Sequence, residues 1–144
     1  ATAAALKAKY ICMHWRGQSK DMDSLAKYED VVRDVINELT KQVAAALLAG
    51  IEPTRLVIDP GLGFAKNADQ NWEILRNIDK FKELGFPILV GGSRKRFLGG
   101  DNPSQRESAS IALTTWLATK DIWGVRTHTV KPHVDAIKVI GQVL

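Results

Sequence analysis

Four short stretches of this sequence place polar residues directly after an apolar run, and these are the residues able to do chemistry. The clearest is Asp59, which closes Leu56-Val57-Ile58 and opens Pro60-Gly61-Leu62-Gly63-Phe64-Ala65-Lys66. A carboxylate at the end of an apolar strand is unfavourable to bury unless donors satisfy it. It can accept paired N–H bonds from an amino-heterocycle; the alternative is that it caps its own turn. Pro60 and the two glycines shape the loop beside it. Phe64 can wall a flat ligand, and Lys66 reads as peripheral.

The second stretch is Val90-Gly91-Gly92-Ser93-Arg94-Lys95-Arg96. Glycine at 91 lets a ring approach the backbone, and Ser93 and Lys95 offer donors. Three cations in a row repel one another, a strain that a bound anion relieves; the alternative is a solvated basic turn. The third is Arg126-Thr127-His128, where residues two apart on a strand project together, so Arg126 and His128 form a pair suited to phosphate oxygens. The fourth is Met13-His14 after Tyr10-Ile11-Cys12. His14 reads as structural rather than catalytic, and Met13 fits a pocket wall as well as a core.

These ends need elements to carry them. Strands are expected at 10–14, 55–59, 86–91 and 123–128, each short, apolar and not strictly alternating, as in a parallel sheet buried on both faces. Helices are expected between them. The first, 28–49, has Val31, Val35, Leu39, Val43 and Leu47 on one face and stops at Gly50. The second, 69–84, carries Trp72, Leu75, Ile78 and Phe81. The third, 104–119, carries Ile111, Leu113, Trp116 and Leu117. The fourth runs from Lys131 to the end with Val134, Ile137, Ile140 and Leu144 inward and Pro132 in its first turn. Residues 16–27 form a long loop, Trp72, Trp116 and Trp123 read as packing residues, Trp15 as core or pocket lining, and His133 as a surface residue. The alternation of strand and helix predicts an α/β fold. Ligands of such folds bind beyond the carboxyl ends of the strands, where helix N-termini favour anions.

Composition narrows the function classes. The 144 residues suffice for one core, and no apolar run reaches the ~20 residues of a membrane span. The net charge of +4 is spread along the chain without aromatic interleaving, which favours a small anionic substrate over nucleic acid. The single cysteine, Cys12, reads as a small buried hydrophobe, and a reducing, cytoplasmic setting is expected. The chain opens Ala-Thr-Ala without methionine in what reads as mid-helix, so a preceding segment of the natural protein is expected.

The run Asp59 to Asn67, the run Val90 to Phe97 and Val125-Arg126-Thr127-His128, with Met13-His14 in register, resemble the second half of the dihydropteroate synthase family, over essentially the whole chain. The resemblance implies strands five to eight of a (β/α)8 TIM barrel whose first half is absent here. It implies condensation of 6-hydroxymethyl-7,8-dihydropterin diphosphate with p-aminobenzoate, releasing pyrophosphate, with no side-chain nucleophile. By resemblance, Asp59 and Lys95 bind the pterin with Met13, Phe64 and Gly91 lining its pocket, and Ser93 lies near the lysine. Arg126 and His128 hold the diphosphate, so that Lys95, Arg126 and His128 carry the chemistry. The p-aminobenzoate carboxylate is expected near the start of the helix after Lys95. Mg²⁺ is implied with its protein ligand in the absent half, and a homodimer through the later helices. Thr129 stands where many members carry Asp, and 99–108 is short for the family. Two exposed strand edges imply that the segment is inactive alone. A methyltetrahydrofolate methyltransferase-type barrel and a non-catalytic paralogue stay open as alternatives.

Overall fold

Isoleucine, leucine and valine fill both faces of the two inner strands, which are covered on both sides. The structure is a computed structural model and describes residues 2–17 and 24–144; the centre of the expected 16–27 loop, residues 18–23, lies outside them. The element order is α1 (Thr2–Ala5), β1 (Tyr10–Met13), α2 (Val31–Leu48), β2 (Leu56–Asp59), α3 (Ala68–Arg76), β3 (Leu89–Val90), α4 (Glu107–Ala118), β4 (Gly124–Val125) and α5 (Lys131–Val143), an α/β alternation.

All pairings are parallel. Tyr10 faces Leu56 and Met13 faces Asp59; Leu89 faces Gly124 and Val90 faces Val125. A bridge between Ile58 and Ile88 joins the pairs, giving the order β1-β2-β3-β4. Both β3 and β4 are shorter than expected. Pro87 has no N–H to donate, so the β2–β3 seam keeps only its carbonyl, which accepts from Ile58 N at 2.9 Å. Among the described residues no strand pairs with the outer edge of β1 or of β4, and Tyr10 and Ile11 are exposed.

Helix α2 starts where Asp30 accepts from Arg33 N, and it buries Val31, Val32, Val35, Leu39, Val43 and Ala46. The expected face holds except at Leu47, which is half-buried. The helix expected over 69–84 is split. A capping box of Asn67 and Gln70 opens α3, but at Asn77 the side chain turns back to Glu73 O (2.9 Å) and a 3-10 segment, Ile78–Leu84, follows. Leu75, Ile78 and Phe81 are buried there as expected. A 3-10 turn at Pro103–Arg106 precedes α4, where Leu113 and Leu117 face the core.

Two expectations about packing fail, the inward face of α5 and the surface reading of His133. Helix α5 turns Val134 and Ile137 outward, leaves Leu144 82% exposed and buries His133 at 2%. It packs on α4, and on the inward face His133 Nδ1 meets Thr114 Oγ1 at 2.8 Å. The tryptophans are not core: Trp72, Trp116 and Trp123 are exposed on one side. Trp72 packs edge-on against Phe97, and Lys9 and Lys120 cover Trp123 and Trp116. Trp72 and Trp116 flank an apolar groove of about 450 Å³ between α3 and α4.

Candidate active site

Parallel strands bring their carboxyl ends to one side, and the polar residues that follow them converge there. A cavity of about 500 Å³ is lined by Met13, Phe64, Gly91, Ser93, Lys95, Arg126, Thr127 and His128. Asp59 is fully buried and is reached through Arg126, whose Nη2 lies 3.4 Å from Asp59 Oδ2. The eight residues read from the sequence as a binding site are therefore brought together.

Asp59 is held by its own loop: Oδ1 accepts from Gly61 N at 2.8 Å. Burial pushes this carboxyl above its ordinary value, against the opposing pull of the Gly61 N–H, Arg126, Lys66 and Lys95. Gly61 is required by space, because a Cβ there would lie 1.9 Å from His14 O. Lys95 Nζ sits 4.3 Å from the centroid of the Phe64 ring. Burial and the nearby Arg126 lower the Lys95 ammonium, while Asp59 opposes them.

Arg126 and His128 both line the cavity but do not stand free as a pair. The Arg126 guanidinium folds over Gly91, where a Cβ would be 2.5 Å from Nη2. His128 Nδ1 lies 3.0 Å from Ser93 Oγ. Of the three consecutive cations, Arg94 turns away and pairs with Glu107 (2.8 Å). A three-residue turn, Arg96–Leu98, follows Lys95, and the helix expected over 104–119 begins as a 3-10 turn at Pro103–Arg106 and continues as α4 from Glu107.

Lys66 is not peripheral. It is 8% exposed and its ammonium donates to Gly61 O (3.0 Å), Phe64 O (2.9 Å) and His14 Nδ1 (2.8 Å). The ammonium has only donors, so Nδ1 accepts and His14 Nε2–H faces Glu38 Oε2 at 2.8 Å. Glu38 in turn takes a forked contact from Arg16. Burial pushes Lys66 down to about 7, with Asp59 opposing. Burial, then the Lys66 charge, pushes His14 down to about 4, with Glu38 opposing. The hydrogen bond from Arg16 leads the pull on Glu38, down to about 2. His14 is thus structural, as read, but it anchors the loop that bears Asp59 and Phe64. Tyr28 adds a bond to Ala65 O (2.8 Å). None of Arg16, Tyr28, Glu38 and Glu107 carried a local motif that marked it.

The remaining expectations resolve simply. Cys12 is buried and its thiol is pushed up by burial, as a small hydrophobe would be. Trp15 lines a separate groove with Tyr10 and Gln42. Among the described residues no cluster of three His, Cys, Asp or Glu could hold a metal ion, and no helix is long and apolar enough to cross a membrane.

The family model described as pterin binding enzyme matches residues 1–128. The chain belongs to this family. Among its relatives is the dihydropteroate synthase of Mycobacterium leprae, 43% identical over 145 residues, covering 94% of this chain and 51% of that protein. The Yersinia pestis dihydropteroate synthase, solved with a sulfonamide drug complex, superposes with a TM-score of 0.93 at 30% identity, over 98% of this chain and 52% of that one. The enzyme from Anaplasma phagocytophilum, solved with bound 6-hydroxymethylpterin-monophosphate, gives 0.89 at 35% identity, over 99% and 57%. The chain therefore spans about half the length of the relatives it matches.

Proposed function

We propose that this chain forms strands five to eight of a TIM-barrel dihydropteroate synthase, the C-terminal half of a single pterin-binding domain. The supporting observation is one cavity lined by Lys95, Arg126 and His128, with the buried carboxylate of Asp59 directly behind Arg126. A ring bearing N–H donors and acceptors matches Asp59 and Lys95, with Phe64 and Met13 against its faces. For that ring to reach Asp59, Arg126 swings off Gly91 toward His128, where both groups meet diphosphate oxygens. Charge-assisted bonds of this kind contribute about 1.5–3 kcal/mol each.

The chemistry is electrostatic. The bond between the exocyclic methylene and the diphosphate oxygen breaks, the electron pair leaves with pyrophosphate, and Arg126 and His128 hold the developing charge. The amine of p-aminobenzoate forms the new C–N bond and releases its proton. Relatives solved with 4-aminobenzoic acid and with 7,8-dihydropteroate support these ligands. The family resemblance also calls for Mg²⁺. The donors here do not suit it: Asp59 is fully buried and the charges around it, Arg126, Lys66 and Lys95, are cationic, so no step is routed through a metal in this half.

The open edges of β1 and β4 support the view that this segment is inactive alone and completed by four further strands. Exposed apolar residues on α5, with the Trp72–Trp116 groove, support a homodimer, and a cytoplasmic setting follows from the biosynthetic reading. The deciding assay is pyrophosphate release from pterin diphosphate by the complete barrel. Release that requires p-aminobenzoate is expected; release indifferent to it, or none, overturns the assignment.

A further inference from the structure

Arg94 sits between two residues of the cavity, Ser93 and Lys95, yet does not line it. Its backbone is left-handed (φ 56°), a conformation that residues with a Cβ rarely adopt. Such a residue persists only where its surroundings hold it, and three groups around the start of α4 do so. Ser110 Oγ accepts from Arg94 N at 2.9 Å, Arg106 Nη1 donates to Arg94 O at 3.1 Å, and Glu107 Oε2 accepts from Arg94 Nε at 2.8 Å. Ser110 and Arg106 are themselves buried, and Ser110 Oγ donates back to Arg106 O at 2.6 Å.

The other oxygen of Glu107 accepts from the hydroxyl of Thr129, the residue after His128. Those two bonds keep the Glu107 carboxyl below its ordinary range, Thr129 acting first and Arg94 second. His133 Nε2, at 3.6 Å from Glu107 Oε1, is too far to bond. One half-buried carboxylate therefore grips both polar ends of the cavity from behind: the turn that carries Ser93 and Lys95, and the strand end that carries Arg126 and His128. In front, the two ends meet through Ser93 Oγ, which lies 3.0 Å from His128 Nδ1 and accepts from His128 N at 3.3 Å, and through Arg126 N, which donates to Val90 O at 3.0 Å.

We propose that Glu107 is a positioning residue: by holding Arg94 with one oxygen and Thr129 with the other, it sets the register between the Lys95 turn and the Arg126–His128 strand end. This rests on the reading of the cavity given above. A ligand that spans both ends needs them in register, whereas a ligand that touches one end does not. The consequence is a signature that a general structural role would not produce.

The test uses the complete barrel without p-aminobenzoate, so that nothing turns over, and three probes: pterin diphosphate, 6-hydroxymethylpterin and inorganic pyrophosphate. In Glu107→Gln, binding of pterin diphosphate is expected to weaken roughly tenfold, as misplacement of a positioned group does. Binding of each half-ligand is expected to stay within about twofold. Glu107→Asp recovers part of the loss, and Thr129→Val reproduces it more weakly. Equal loss on all three probes, or no loss on any, overturns the positioning role. Wild-type protein that binds none of the three overturns the cavity assignment itself and the role of Glu107 with it.

Discussion

On the β2 side, the cavity wall is held from inside the molecule. The loop 59–66 closes around the Lys66 ammonium, which is backed by buried His14, then Glu38 and Arg16. On the β3–β4 side, the wall is held from behind by partly exposed groups, Arg94 and Glu107, with 29% and 25% of their side chains exposed. Each wall contains one left-handed residue with a Cβ next to a lining residue: Ala65 (φ 50°) after Phe64 and Arg94 (φ 56°) before Lys95. The same local strain, of order 1–3 kcal/mol, is thus opposed in two dielectric settings. A buried donor with three acceptors is unfavourable to remove, because each orphaned acceptor has no water to turn to. A half-exposed pair loses less, because water replaces the missing partner.

That contrast can be broken by measurement. The largest effect is expected from Lys66→Met, which keeps the length but orphans Gly61 O, Phe64 O and His14 Nδ1. A loss of about 3 kcal/mol is expected in urea unfolding; a loss under about 1 kcal/mol would show that the loop does not depend on the ammonium.

The next effect is a pH dependence from His14, whose folded value of about 4 lies below the ordinary 6.5. Between those values the unfolded chain takes up the proton and the folded chain does not. Stability is therefore intact above about 6.5 and falls as the pH drops toward about 4. A decrease of about 2 kcal/mol is expected between about pH 7 and about pH 4.5, and it should flatten in His14→Gln. An unchanged slope in that variant would move the effect to other groups.

The smallest effect belongs to the second wall. Arg94→Met breaks the half-exposed pair with Glu107, and a loss of no more than about 1 kcal/mol is expected in urea unfolding. If this change destabilised the protein as much as Lys66→Met, the two walls would not differ in the way described.

The sequence by itself determined the α/β order and the polar residues that follow the four strands. Local chemistry is enough for this. A period of 3.6 or a short β-rich run fixes which residues face a layer, and parallel strands then carry whatever follows them to one side. The sequence also singled out Asp59, because a carboxylate closing an apolar run needs donors; Gly61 N supplies one from its own turn and Arg126 lies at the other oxygen. Only the tertiary structure decided which polar residues stand behind that face. His14 and Lys66 are 52 positions apart, His14 and Glu38 are 24 apart, and Glu107 and Thr129 are 22 apart. No periodicity encodes such pairings, so Lys66 and His133 looked like surface residues. Both are buried because each finds a partner on another element. The same reason explains α5. Its apolar stripe was legible, but the side that faces α4 carries His133, whose partner Thr114 lies on the other helix.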